Sequence, residues 1–124
     1  MHAVRIDRTK PLAAEPKTGH NRYHPDIAPI LEVGEGEDVS LETRDGVDGQ
    51  IGPNATVADL ATFDAGRVHP LTGPVFVKGA EPGDMLEVEF VDILPQPRIQ
   101  RHRAGLGLSA RCDGHAVCRA VENP

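Results

Sequence analysis

The sequence predicts a mainly β protein, a distorted β-sandwich or jelly-roll-like domain with one short helix. Runs of alternating apolar and polar residues recur, with the period of two that a half-buried strand requires. The 13 glycines and 11 prolines break the chain as often as an all-β domain with many connections needs. Only 3% of the residues are aromatic and none is Trp, so the 124-residue chain must build a modest, aliphatic core.

Taken in order, the first distinctive segment is "GHNRYHPDIAP", which Pro25 and Pro29 make extended and stiff. It holds His20, His24 and Asp26. Side chains two apart on an extended strand share a face, so His24 and Asp26 can meet on one ligand or on each other. Imidazole and carboxylate serve divalent metals and acid–base chemistry equally well, and an isolated cluster of this kind is as readily solvated or structural. The turn "VGEGED" leads into a strand at "DVSLET", where Val39 and Leu41 face one way and Ser40 and Glu42 the other. In "ETRDGVDGQ", Glu42, Asp45 and Asp48 are either acids in a cleft or an acidic turn around Gly46 and Gly49, and the residues alone favour the turn.

A short helix is expected over residues 57–63, with Thr56 as its N-cap and Asp59 at the capping-box offset. In "RVHPLTGP", Pro70 fixes His69, and the Thr-Gly-Pro turn that follows carries backbone amides suited to an oxyanion; the plainer reading is that His69 ends a loop. "PVFVKG" is a third strand, followed by the turn "GAEPGD". In "GDMLEVEFVDI", Leu86, Val88 and Phe90 alternate with Glu87 and Glu89 until Val91 and Ile93 break the phase, which marks a bulge.

Charge divides the chain. Residues 1–95 carry 8 Lys and Arg against 17 Asp and Glu, whereas residues 96–124 carry 5 against 2. The overall charge of -6 argues against nucleic-acid or anionic-membrane binding, each of which needs a basic face. No apolar run approaches the roughly 20 residues of a membrane span. The first ten residues lack the apolar region of a signal peptide, so the expected location is cytoplasmic. Two cysteines are too few for a secreted disulfide scaffold.

Three motifs, "HNRYHPDIAPILEV", "VSLETRDGVDGQI" and "DAGRVHPLTGPVFVKGAEPGDMLEVEFVDI", stand in the order and spacing of the acetamidase/formamidase family, which the chain closely resembles over residues 18–93. The resemblance implies hydrolysis of a short linear amide, formamide or acetamide, to carboxylate and ammonia. It implies a β-rich, usually homo-oligomeric parent more than twice this length, of which this chain is the amino-terminal portion, itself inactive or unstable. It makes His24, Asp26, Glu42 and His69 catalytic candidates, and Asp45, Gln50, Thr72 and Gly73 candidates for the substrate pocket. It also makes His20, His24 and Asp26 candidate ligands of a divalent metal such as zinc. A non-catalytic ligand- or partner-binding β domain uses the same residues without turnover.

Beyond Pro95 the family motifs stop. Residues 96–124 then read as an out-of-frame, disordered tail. Back-translated with permitted codons and read one nucleotide later, this segment allows "GYSVIVPGLGFLRDVTDTPFVVRWKT", a continuation of the family's kind. On this reading Cys112, His115 and Cys118 are by-products of the wrong frame. The rival is a small zinc-binding protein built on those three residues with His102, although their spacing is not a standard zinc one. Sequencing the coding DNA across the codons for Pro95 to Arg98 decides the matter: one surplus nucleotide, or two missing, is expected, and an intact frame overturns the reading.

Overall fold

Pairing between short aliphatic runs builds the structure, a computed structural model that describes residues 1–96 and 113–122. Eight strands are present: β1 (His2–Val4), β2 (Gly19–His20), β3 (Leu31–Val33), β4 (Asp38–Glu42), β5 (Leu71–Thr72), β6 (Val75–Val77), β7 (Leu86–Gln96) and β8 (Asp113–Glu122). They form a four-stranded sheet in the order β1-β4-β8-β7 and two ribbons, β2-β5 and β3-β6. The expected β class is thus observed, with no closed barrel among the described residues.

The alternation in β4 does what its pattern predicts, with Val39 at 6% exposure. Ahead of it, the Glu37 amide donates to the Gly34 carbonyl, and the Gly34 amide donates to the Glu37 carboxylate at 2.6 Å. That bond, with a second from His2, holds the Glu37 carboxyl below its ordinary range. The phase slip in β7 is a bulge between Phe90 and Asp92. The ribbon β3-β6 is parallel and sets Val33, 1% exposed, opposite Val77 and Leu31 opposite Val75. Val33 and Val39 are the buried apolar residues among those described, so the core is small.

Two expectations need correction. The helix at residues 57–63 is a 3-10 helix over Val57–Thr62, accompanied by further 3-10 turns at Leu12–Ala14 and Ala65–Arg67. Its capping residues are those expected: the Asp59 carboxylate accepts from the Thr56 amide at 2.6 Å and hydroxyl at 2.8 Å, which lowers the Asp59 pKa. No residue of this segment is buried, so no packed face imposes α geometry on so short a run. The second correction concerns the tail. Asp113–Glu122 is not disordered but forms β8, antiparallel to both β4 and β7. A strand inserted between two others satisfies its main-chain groups on both sides, a gain that depends little on side-chain identity. Residues 97–112, including Cys112 and His102, lie outside the described residues.

A buried ionic cluster connects the segments that flank β4. Asp48 and Gly49 both have positive φ, 55° and 75°, as the Asp-Gly pair of a tight turn does, and the Gln50 amide closes that turn on the Val47 carbonyl at 3.2 Å. The turn directs the Asp48 carboxylate inward. It accepts from the Leu12 amide at 2.8 Å and from Arg67 Nη2 at 3.2 Å, with Arg44 Nε 4.0 Å away. Arg44 in turn binds the Glu15 carboxylate. Replacing Asp48 with Ala leaves the Leu12 amide without its acceptor and removes the carboxylate that pairs Arg67 and faces Arg44. The expected loss is about 3 kcal/mol or more in urea denaturation, and a loss below about 1 kcal/mol would show the cluster to be dispensable.

Candidate functional site

Main-chain contact between β2 and β5 positions the first histidine. Gly19 lies opposite Thr72, and a Cβ on Gly19 would stand 2.1 Å from the Leu71 carbonyl oxygen, so only glycine allows the two strands to pair here. His20 follows directly. Its Nδ1 is 2.7 Å from the Arg22 carbonyl oxygen, which is an acceptor only, so Nδ1 carries the proton and Nε2 of the neutral ring is left as a base. Its ring meets Tyr23 edge-on at a centroid distance of 6.0 Å.

His24 has the opposite arrangement. The Asp26 amide donates to His24 Nδ1 at 3.2 Å, so in the neutral ring the proton resides on Nε2. The Asp26 carboxylate lies 3.7 Å from the same Nδ1, and both side chains are exposed. The extended His-Pro-Asp geometry therefore brings His24 and Asp26 together as their spacing predicts. His20 and His24 line one cleft of about 450 Å³ with Tyr23, Pro25, Ile27 and Pro74. His20 also borders a second cleft of about 470 Å³, whose wall includes Arg22, Asp48 and Arg67.

The other candidates are held in local structure. Glu42 ends β4; its carboxylate accepts from the Ile6 amide at 3.0 Å, and its carbonyl accepts from the Thr72 hydroxyl at 2.6 Å. Asp45 accepts from the Val47 and Gly49 amides, each at 2.8 Å, which shapes the turn below Asp48. The Gln50 side chain is spent on backbone: it donates to the Val47 and Asp64 carbonyls at 3.0 Å and accepts from the Asp64 amide at 2.8 Å. Gly73 is buried at φ 136°, and its amide donates to the Thr18 carbonyl at 3.4 Å. Because Pro74 has no amide proton, this turn offers no free amide pair for an oxyanion at Gly73-Pro74. Pro74, rather than Thr72 or Gly73, lines the His20–His24 cleft.

His69 is exposed and left-handed, with φ 58°, held by its amide's 2.8 Å bond to the Gly46 carbonyl. A non-glycine residue in this region costs about 1 kcal/mol or more, and such strain concentrates at functional sites. Among the described residues, no hydrogen bond or ion pair joins His69 to His24 or Asp26. Arg22 and Arg67 were not singled out by motif, and Asp48, weighed as a cleft acid or a turn residue, proves to be both a turn residue and a cleft wall. The available signals were the opposite charges of Arg44 and Asp48 four residues apart and the Asp-Gly pair itself.

Among the described residues, no three His, Cys, Asp or Glu side chains are placed to hold one ion. His20 and His24 use Nδ1 on backbone and would offer Nε2 to a metal, and no chemical step is derived through one. In the tail, burial pushes the Cys118 thiol up. Among the described residues no helix is long and apolar enough to cross a membrane.

Comparison with known proteins agrees with the motifs. The model of the acetamidase/formamidase family matches residues 5–114, running past Pro95. The chain is 39% identical to an acetamidase of Mycolicibacterium smegmatis, over 82% of this chain and 25% of the relative. It is 39% identical to a formamidase of Methylophilus methylotrophus, over 73% of this chain and 22% of the relative. Among solved structures, a gamma lactamase from Delftia acidovorans superposes with a TM-score of 0.69 at 37% identity, covering 77% of this chain and 24% of the neighbour. An acetamidase from Bacillus halodurans does so with a TM-score of 0.57 at 34% identity, covering 64% and 26%. The chain spans about a quarter of the length of these relatives, and it belongs to the acetamidase/formamidase family.

Proposed function

We propose that this chain supplies the proton-transfer half of an amide-hydrolysing site, with formamide, acetamide or a similarly small amide as substrate. The observation that carries the reading is the pair of histidines on one cleft, His20 with Nε2 left as a base and His24 with the Asp26 carboxylate beside it. His20 Nε2 takes a proton from water as the water oxygen attacks the amide carbon. His24 acts from its imidazolium form, with the Asp26 carboxylate beside Nδ1; it gives its Nε2 proton to the nitrogen as the C–N bond breaks and returns to the neutral ring, so ammonia leaves and the carboxylic acid remains. Proton transfers of this kind contribute about 10²- to 10⁴-fold to the rate. Family membership supports the bond class, and a gamma lactamase as structural neighbour makes a cyclic amide a sensible second substrate to assay. The size of the relatives supports a larger assembly around this segment, with a homo-oligomeric parent as the expected form.

The test uses the Methylophilus methylotrophus formamidase with its matching segment replaced by residues 1–95 of this chain. Ammonia release from formamide and acetamide is expected. His20→Gln and His24→Gln should each lower kcat by about 100-fold or more. Retention of kcat within about threefold in either variant removes that histidine from proton transfer.

In the same chimera, His69→Gly separates function from strain. Glycine accepts a positive φ, so stability should stay level or rise by up to about 1 kcal/mol while ammonia release falls about 100-fold. Lower stability with undiminished turnover would leave His69 as a loop terminus alone.

A further inference from the structure

His20 owes its proton arrangement to one acceptor, the Arg22 carbonyl oxygen 2.7 Å from Nδ1. That carbonyl belongs to a bend in which no residue from Asn21 to Asp26 is buried, so packing does little to hold it. Two side chains of the bend tie it to one distant atom, the Gly66 carbonyl oxygen. Asn21 Nδ2 donates to this oxygen at 2.6 Å and Arg22 Nη2 at 3.3 Å, across 45 and 44 residues of chain. Arg22 Nη1 donates to the Asn21 carbonyl at 2.7 Å, which closes the bend on itself.

Gly66 is fixed in its turn. Its amide donates to Asp64 Oδ1 at 2.7 Å, and Gln50 grips the main chain of Asp64 from the other side. Gln50 Oε1 accepts from the Asp64 amide at 2.8 Å, while Nε2 donates to the Asp64 and Val47 carbonyls at 3.0 Å. Both donor protons and the acceptor of the Gln50 amide are therefore engaged, which leaves its plane no freedom to turn. An unbroken series of hydrogen bonds thus runs from Gln50 through Asp64 and Gly66 to Asn21 and Arg22, and ends at the His20 ring.

We propose that Asn21, Asp64 and Gln50 are positioning residues for His20. They hold the Gly66 carbonyl against the bend and so keep the Arg22 carbonyl beside Nδ1, which leaves Nε2 as the unprotonated nitrogen of the neutral ring. The contact that places the proton is local, and the brace that keeps it closed is not. A loosened acceptor lets the ring proton move to Nε2 and takes the base away. The catalytic consequence rests on the base role given to His20.

The test reads the ring directly. Long-range proton–nitrogen correlations on the isotope-labelled full chain, at a pH above the His20 titration, report which nitrogen carries the proton, and Nδ1–H is expected to dominate. Asn21→Asp and Gln50→Glu each replace a donating NH2 with an oxygen of nearly the same shape. Each should lower the ratio of Nδ1–H to Nε2–H about fivefold, the weight of one ordinary hydrogen bond. Thr62→Ala, which removes a hydroxyl bond to the Asp59 carbonyl outside the brace, should leave the ratio unchanged. The Asn21 bond lies at the surface, so Asn21→Asp decides the matter alone should Gln50→Glu fail to fold. A ratio that stays within about twofold overturns the proposal, as does an Nε2–H majority in the unsubstituted chain or an equal shift in Thr62→Ala. In the formamidase chimera the same two variants should lower kcat about fivefold with KM level, because neither side chain lines the His20–His24 cleft. A fall in kcat without a change of tautomer also overturns the brace. A change of tautomer with kcat undiminished upholds the brace and removes His20 from proton transfer, so the two readings fail separately.

Discussion

The carboxylate of Asp48, 3% exposed, bound by Arg67 and the Leu12 amide and with Arg44 4.0 Å away, fixes how the segments around the clefts sit against one another. Two anions, Glu15 and Asp48, face two cations, Arg44 and Arg67, and each cation has an anion beside it. Within a low-dielectric interior such a set holds together because removal of any member strands a charge. It joins residues 36 positions apart, from Leu12 to Asp48, and a further 19 to Arg67. Leu12, Asp48 and Arg67 are themselves wall residues of the larger cleft that His20 borders. The cleft therefore inherits its shape from an interaction that lies behind it.

What was legible in the sequence was local. The alternation of β4 and β7, the phase slip at Val91, the turn before Asp38 and the Thr56/Asp59 cap each depend on residues within a few positions of one another. Strands β2 and β5 are two residues each, too short to show a period, and they exist because Gly19 lets the Leu71 backbone approach across more than fifty residues of chain. Asp48 was hidden for a different reason. An Asp-Gly pair in an acidic stretch reads as an exposed turn, and it is one; only the arginines from elsewhere make its carboxylate buried. The same applies to Gln50, which the family resemblance makes a pocket candidate yet whose side chain closes on the Asp64 backbone.

The division between local and distant information also runs through the site. The proton positions on His20 and His24 are set by contacts two residues away, to the Arg22 carbonyl and the Asp26 amide. Pro25, between His24 and Asp26, holds that segment extended and removes one competing amide. A seven-residue stretch can thus preset the chemistry of both rings. The walls that would exclude water and hold a substrate come instead from Pro74, Gly66 and Arg67. The placement of the ring protons in this segment is therefore encoded more locally than the walls around it: contacts two residues away fix the protons, whereas Pro74 and Arg67 reach the clefts from far along the chain.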